Sequence, residues 1–274
     1  MYPRFLQFGL LVISTYGVLA LVAALCGVLL WTSLARRAAL DAAKISSAAQ
    51  LGVLSILVGT RLAVIVANWR GFLEAPLLIV LSGTMRPGGA ALCGVLLACV
   101  VCGIYLRRAG VPLLPALDAG APAFALSAAV LDVADFLAGS HYGAPTTLPW
   151  GVTYTSRFAA RTTGVPLSIP LHPVQLYAAI ARFALAAILI HLLQQPRRAG
   201  EVLGLGLFAE GILRFLTEPL SGRYVDGTAW LQVMTPPQAG GMLLVLLGGA
   251  CWLAHTPQAR VARETSHPRV AADV

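Results

Sequence analysis

The sequence contains seven apolar stretches that come close to the length of a membrane-spanning helix. They cover residues 6–30, 48–67, 88–106, 113–138, 173–194, 202–219 and 234–254. A helix of about 20 mostly apolar residues crosses the roughly 30 Å hydrocarbon core of a bilayer with all its backbone hydrogen bonds satisfied internally. Only 11% of the residues are charged, against about a quarter in soluble domains. We therefore predict an all-α, polytopic membrane protein with about seven transmembrane helices.

Two of these stretches are less regular than the others. The stretch at 202–219 contains charged residues, and Pro115 and Pro122 would kink the one at 113–138. A further hydrophobic patch at 76–81 is too short to span and is better interpreted as re-entrant or interfacial.

The net charge of +8 does not indicate a nucleic-acid-binding protein, because the basic residues form no stripe and lie between the apolar stretches. Lys and Arg are more frequent on one side, in the connections at 31–47, 107–112 and 195–201 and in the C-terminal tail. These residues are Arg36, Arg37, Lys44, Arg107, Arg108, Arg197, Arg198, Arg260, Arg263 and Arg269. The other side has only Arg4, Arg70, Arg86, Arg157, Arg161 and Arg223. The positive-inside rule then places the N-terminus outside and the C-terminus in the cytoplasm, with the first span retained as a helix.

The pattern predicts one transmembrane domain over residues 1–255. Its longest connection, 139–171, is rich in Gly and Pro and contains Tyr142, Trp150 and Tyr154, which suit an external cap at the membrane interface. The polar tail at 256–274 is predicted to be a disordered cytoplasmic segment.

Seven ionisable residues lie inside the predicted spans: Arg61, Asp132, Asp135, Arg182, Glu210, Arg214 and Glu218. A charge in hydrocarbon costs about 3 kcal/mol or more, so such residues are expected to pair, to meet water or to handle a polar substrate. We expect the functional site among them.

Glu210, Arg214 and Glu218 follow one another at intervals of four residues and so share one helix face. One interpretation is that these charges neutralise one another and only allow the helix to insert into the membrane. The other is a binding site, because the guanidinium of Arg matches the geometry of carboxylates and phosphates. A lipid phosphate is the natural external partner of Arg214.

Asp132 and Asp135 are three residues apart, near the external end of the fourth span. Two close carboxylates can share a proton and provide a general base. Alternatively, each pairs with an arginine such as Arg61 or Arg182, and the two interpretations are compatible.

His172 begins the run His172-Pro173-Val174-Gln175-Leu176-Tyr177, in which Pro173 suits the first turn of a helix. His172 is a candidate site residue or a capping and interfacial residue, and Gln175 and Tyr177 bring hydrogen-bonding groups into the span. The residues near His172 have no metal-ligand spacing, and we expect no metal and no cofactor.

Several runs resemble the prolipoprotein diacylglyceryl transferase family. The run 172–177 is similar to the family's H-P-x-Q-L-Y, 214–218 to its R-F-x-x-E, and Leu148-Pro149-Trp150-Gly151-Val152 to its external loop. Further similar runs are Tyr16-Gly17, Gly59-Thr60-Arg61-Leu62 with Asn68, Gly88-Gly89 and Tyr142-Gly143. The chain departs from the family at Asp132, Asp135, Ala138 and Ser140, where the signature has Arg, Asn, Asn and Glu, at Pro87, where it has His, and at Ala178, where it has Glu.

The resemblance implies a seven-span enzyme of the bacterial inner membrane that moves diacylglyceryl from phosphatidylglycerol to the lipobox cysteine of a preprolipoprotein. The expected phosphate ligand is Arg214, supported by Arg61 and held by Glu210 and Glu218. Asp132 or Asp135 is the expected base, with His141 or His172 as the next candidates. The expected substrate-binding residues are Tyr16, Arg61, Gly143, Gln175, Tyr177 and Glu210.

Three other functions compete with this expectation. One is a divergent member without transferase activity that binds lipid or a protein partner, and another is a transferase with a different acceptor. A small transporter is disfavoured, because the chain has no inverted repeat and carries a long external loop.

Overall fold

The computed structural model describes residues 4–8, 11–77, 89–195, 197–222 and 234–255. The α-helices within these ranges are α1 (Thr15–Arg37), α2 (Ala42–Ala67), α3 (Trp69–Glu74), α4 (Ala90–Arg108), α5 (Leu113–Ala138), α6 (Arg157–Thr163), α7 (Val174–Leu193), α8 (Glu201–Thr217) and α9 (Pro236–His255). Four short strands, β1 (Arg4–Phe8), β2 (Leu11–Ser14), β3 (Val152–Thr153) and β4 (Pro170–Leu171), form two antiparallel pairs. The predicted all-α class is confirmed.

Six of the described helices, α1, α2, α4, α5, α7 and α9, are long and apolar enough to cross a membrane. The protein is therefore a multi-pass membrane protein. Helix α8 is 17 residues long and carries Glu201, Glu210 and Arg214. It occupies the sixth predicted stretch and packs closely on α9. The count of about seven crossings and the orientation of the termini stay predictions.

The first predicted stretch begins too early. Hydropathy suggests a helix from residue 6, but 4–8 and 11–14 form an antiparallel pair of strands and α1 begins at Thr15. Ser14 is extended and its hydroxyl accepts a hydrogen bond from Gly17 N at 3.1 Å, which caps the helix. Hydropathy does not distinguish an apolar strand from an apolar helix, whereas the cap marks where the helix starts.

The helices pack through small residues and direct large apolar side chains outwards. A Cβ placed on Gly59 of α2 would lie 2.8 Å from Gly94 Cα of α4, so these helices approach as closely as their backbones allow. On α1, by contrast, Leu21, Leu25 and Leu29 recur every four residues and are all more than half exposed. This arrangement suits a helix bundle surrounded by lipid.

The connection between α5 and α7 has a small core of its own. Strand β3 pairs with β4, and α6 lies between them in sequence. Its buried apolar side chains are Tyr154, Ala159, Val165 and Leu171. The segment therefore has regular structure, and its predicted role as an external cap stays a prediction.

Backbone hydrogen bonds tie this connection to the turn that follows α8. Ala144 N donates to Leu220 O at 2.8 Å, and Gly222 N donates to Tyr142 O at 2.9 Å. His172 N, just before α7, donates to Ala144 O at 2.9 Å. The end of α5, the start of α7 and the end of α8 are thereby brought together.

Several predictions concern residues outside the described ranges. They include Arg86, Pro87, Gly88, Arg223, most of the patch at 76–81 and the tail at 256–274. The division into one transmembrane domain and a tail accordingly stays a prediction.

Candidate functional site

Four charged side chains of alternating sign form a continuous series from α5 through α7 to α8. Arg182 Nη1 donates to Asp132 Oδ2 at 2.5 Å, while Arg182 Nε and Nη2 donate to Glu210 Oε2 and Oε1 at 2.9 and 2.7 Å. Arg214 Nε donates to the same Glu210 Oε1 at 2.9 Å. We call Asp132, Arg182, Glu210 and Arg214 the charge ladder.

The charge ladder is buried in its middle and exposed at one end. The side chains of Arg182 and Glu210 are 9% and 8% exposed, and that of Asp132 is 17% exposed. Arg214 is 49% exposed. Two acids and two bases cancel in net charge, which offsets part of the desolvation penalty of burying them. The ladder therefore neutralises charged side chains that come from three different helices.

Arg214 has unused donors at the exposed end of the ladder. Its Nε is held by Glu210, and among the described residues neither Nη1 nor Nη2 has a hydrogen-bond partner. A guanidinium fixed at one nitrogen presents its remaining donors in a defined direction, which suits a tetrahedral phosphate.

The predicted contact between the side chains of Glu218 and Arg214 is not formed. Thr217 is the last residue of α8. Glu218 opens a 3-10 turn with Pro219, although its own backbone is still helical and its N–H donates to Arg214 O. Glu218 is buried, at 7% exposure, while Arg214 pairs with Glu210. The expectation that both acids hold Arg214 is thus correct for Glu210 only.

The two predicted base candidates have different partners. Asp132 pairs with Arg182, which is the alternative that the sequence left open, and this pairing occupies the carboxylate with a buried cation. Asp135 instead contacts His141, with 3.0 Å between His141 Nδ1 and Asp135 Oδ2. The two carboxylates therefore do not share one environment, although they are three residues apart.

Gln175 is anchored inside the junction between α5, α7 and the connecting segment. Its Nε2 donates to Ser140 O at 2.6 Å and makes a longer contact of 3.4 Å with Tyr154 Oη. The side chain is 3% exposed, and its Oε1 has no hydrogen-bond partner among the described residues. Buried polar atoms without partners are uncommon, and each needs an explanation such as a bound water, an ion or a role in catalysis.

Tyr154 lies next to Gln175 and is itself buried. Burial raises the pKa of Tyr154 to about 12; the hydrogen bond from Gln175 opposes this shift and the nearby Asp135 carboxylate adds to it. The phenol therefore stays protonated at physiological pH and serves as a neutral hydrogen-bonding group.

His172 lies at the start of α7, but its side chain does not cap the helix. The N-cap residue is Pro173, with no side-chain capping bond. The Nδ1 atom of His172 is buried without a partner among the described residues, and its ring meets that of Tyr177 edge to face at 6.3 Å. Tyr177 Oη accepts a 2.8 Å hydrogen bond from Trp150 Nε1, which joins the connecting segment to α7.

Gly143 permits the close approach of this segment to α7. A Cβ at this position would lie 2.7 Å from His172 Cβ and 2.8 Å from Val174 Cγ2. Tyr16 and Arg61 are both exposed and lie on α1 and α2, outside the three helices of the charge ladder. Gly143 is thus placed at the junction, and any contact of Tyr16 or Arg61 with substrate stays a prediction.

Residues 3–254 match the family model of prolipoprotein diacylglyceryl transferase. The chain belongs to the prolipoprotein diacylglyceryl transferase family. The resemblance seen in the sequence is therefore confirmed.

Similar proteins include three named phosphatidylglycerol–prolipoprotein diacylglyceryl transferase. The one from Clostridium tetani is 26% identical over 243 residues, covering 88% of this chain and 92% of the relative. That from Gloeobacter violaceus is 26% identical over 260 residues, covering 92% of each, and that from Aliivibrio fischeri is 31% identical over 206 residues, covering 72% and 70%. These names do not favour the lipid-binding or transporter alternatives.

The fold brings together the two runs on which the resemblance to the family rests. The run 172–177 begins α7 and the run 214–218 ends α8. Backbone hydrogen bonds join Tyr142 to Gly222 and Ala144 to Leu220, and they hold both runs at the same end of the bundle. The family resemblance and the charge ladder thus point to one site.

Two residues have a larger structural part than the sequence indicates. The sequence indicates Arg182 as a partner for Asp132 or Asp135, and the structure places it at the centre of the ladder. No sequence motif marks Asp118 of α5, yet its carboxylate accepts hydrogen bonds from Gly200 N and Leu203 N at 2.6 and 2.7 Å and so caps α8. The signal in the sequence was the absence of a capping side chain at Gly200, just before Glu201.

Proposed function

We propose that this protein transfers diacylglyceryl from phosphatidylglycerol to the lipobox cysteine of a preprolipoprotein, in the inner membrane of a bacterium. In this reaction the cysteine sulfur attacks a glycerol carbon of the lipid. The bond between that carbon and the phosphate oxygen breaks, and glycerol phosphate leaves. No cofactor is required, because the phosphate is itself the leaving group.

The observation that carries the proposal is the exposed end of the charge ladder. Arg214 keeps two nitrogens without a partner among the described residues while Glu210 fixes its third. A donor held in position before the reaction stabilises the charge that develops on a departing phosphate. The family membership supports the same chemistry at this position, since Arg214 begins the run similar to R-F-x-x-E.

Other side chains are proposed to bind the lipid head group and the acceptor. Gln175 and Tyr177 lie in the first turn of α7, and Gln175 has a buried oxygen free to accept a hydrogen bond from a hydroxyl group. Tyr16 and Arg61 are proposed to contact the lipid from α1 and α2. With the N-terminus outside, the junction faces the outer side of the membrane, where a secreted acceptor would arrive.

The experiment uses purified protein in phosphatidylglycerol liposomes with a synthetic lipobox peptide. The expected result is a peptide whose mass increases by one diacylglyceryl group, and liposomes without phosphatidylglycerol should give no product. An unmodified peptide, under conditions where a related enzyme is active, would overturn the transferase function and favour the lipid-binding alternative.

Two arginine variants test the role of the ladder's exposed end. Arg214→Ala should reduce the rate by about 10²-fold or more, as expected when a charge-stabilising donor is removed. Arg161→Ala is the matched control, since Arg161 is an exposed arginine in the last turn of α6. Equal rates for both variants would exclude Arg214 as the phosphate ligand.

A further inference from the structure

We propose that His141, held by Asp135, is the general base that accepts the proton of the acceptor thiol. This inference rests on the proposed transferase function and adds the residue that generates the nucleophile. Thiols have an unperturbed pKa of about 8.5, so at neutral pH only a small fraction is in the reactive thiolate form. A positioned base therefore accelerates the attack.

The two side chains are close enough for Asp135 to act on the imidazole. His141 Nδ1 lies 3.0 Å from Asp135 Oδ2, and their side chains are 58% and 15% exposed. When Asp135 accepts a hydrogen bond from Nδ1–H, the lone pair of a neutral imidazole is on Nε2. A carboxylate at this distance stabilises the imidazolium that forms when the proton is taken, and in the proposed reaction it also favours this tautomer.

The backbone holds His141 against Asp135. Gly139 ends α5 in the left-handed conformation, with φ of 75°, and Ser140 N donates to Asp135 O at 2.8 Å. His141 itself has φ of 52°, an uncommon conformation for a residue other than glycine. Strained conformations of this kind persist where the surrounding structure imposes them, and they cluster at functional sites.

The neighbouring residue anchors this turn from the inside. Ser140 is 2% exposed, and its carbonyl accepts the 2.6 Å hydrogen bond from Gln175 Nε2. His141 is therefore an exposed side chain on a rigid backbone. The imidazole of His141 is therefore accessible to a substrate and also held in a fixed position.

The pair of His141 and Asp135 lies at the same end of the bundle as Arg214. Tyr142, directly after His141, is hydrogen-bonded through its carbonyl to Gly222 N, and Ala144 N bonds to Leu220 O. These contacts hold the segment against the turn that follows α8, whose last turn contains Arg214. In the proposed transfer, the sulfur attacks the same glycerol carbon from which the phosphate leaves. The base for the thiol and the ligand for the phosphate are therefore needed at one end of the protein.

The other candidates for the base are less suitable. Asp132 is paired with Arg182, and Asp135 is paired with His141. The Nδ1 atom of His172 is buried. His141 is the base candidate whose side chain is more than half exposed.

The chemical step balances without a further reactant. The proton of the thiol moves to His141 Nε2, and the sulfur forms a bond to the glycerol carbon. The electron pair of the breaking carbon–oxygen bond goes to the phosphate oxygen of the leaving glycerol phosphate. The imidazolium then releases its proton to water, and the neutral base is restored.

The test compares two acceptor peptides that differ in one atom, one with cysteine and one with selenocysteine in the lipobox. A selenol is a stronger acid than a thiol and is ionised at neutral pH, so its transfer needs no base. The variant His141→Asn keeps a residue that tolerates positive φ. It should lose about 10²-fold or more of the rate with cysteine and little with selenocysteine.

Matched variants complete the design. Asp135→Asn should show the same selective loss, because it disturbs the tautomer and orientation of the ring. His191→Asn, an exposed histidine near the end of α7, should leave both rates unchanged. The rate with selenocysteine also reports whether each variant is folded.

Each outcome decides between the alternatives. A selective loss with cysteine supports the base, whereas an equal loss with both acceptors, or no loss, overturns it while the transferase function stands. Wild-type protein that modifies neither peptide overturns the proposed function itself.

Discussion

Arg182 and Glu210 meet as a bidentate pair inside the helix bundle. Arg182 Nε and Nη2 lie 2.9 and 2.7 Å from the two carboxylate oxygens of Glu210, and both side chains are less than a tenth exposed. The third nitrogen of the same guanidinium, Nη1, donates a hydrogen bond to Asp132. One arginine thus connects three helices, and through Glu210 it fixes the direction of Arg214.

Replacing Arg182 by alanine should destabilise the protein strongly. Asp132 and Glu210 would be left as buried charges without Arg182, and breaking a buried pair by removing one partner costs about 3–5 kcal/mol. The free energy of unfolding in detergent micelles measures this loss. Ile180→Ala, a change at a 69% exposed position on the same helix, is the control and should have a small effect.

Arg182→Lys separates charge from geometry. A lysine keeps the positive charge but cannot form the planar bidentate contact with Glu210. We expect an intermediate loss of stability together with a lower transfer rate, since Arg214 is positioned through Glu210. Full stability and full activity in Arg182→Lys would show that charge alone suffices.

Gly143→Ala should damage the site through its backbone. The new Cβ would lie within 2.8 Å of His172 and Val174 side-chain atoms, so the connecting segment must move away from α7. Lower melting temperature and lower transfer activity are expected together. Gly103→Ala is the matched change, because a Cβ there meets nothing within 4 Å, and it should be neutral or slightly stabilising.

Asp118→Ala should reduce stability without reducing the activity of the folded protein. The carboxylate accepts hydrogen bonds from Gly200 N and Leu203 N at the start of α8, and a lost helix cap typically costs about 1 kcal/mol. Arg214 lies in the last turn of the same helix, more than two turns away. If the transfer rate per folded molecule of Asp118→Ala also fell, the prediction that this carboxylate affects stability alone would be wrong.

Tyr154 should make stability depend on pH in the alkaline range. Its folded pKa is raised by burial to about 12, above the ordinary value of 10.0, so the neutral phenol is favoured in the folded protein. The contribution is complete below pH 10 and is lost as the pH rises through about 12. Melting temperatures measured across this interval should fall, and Tyr154→Phe should flatten the decrease.

The sequence determined the membrane class, the approximate positions of the helices and the family. Hydropathy over about 20 residues is a local property, and so the helices at 113–138 and 174–193 fall within a residue or so of their predicted bounds. The runs at 172–177 and 214–218 are also local, and they indicate Gln175, Tyr177 and Arg214 from the sequence alone.

Only the tertiary structure decided which charges meet. Asp132 and Asp135 are three residues apart in one helix, yet one faces Arg182, fifty residues away, and the other faces His141. Spacing along a helix predicts a shared face, but the partner is set by the packing of α5 against α7 and by the turn after Gly139. Asp118 likewise caps a helix that begins more than eighty residues later. Side chains distant in sequence become neighbours only through this packing, which no local pattern records.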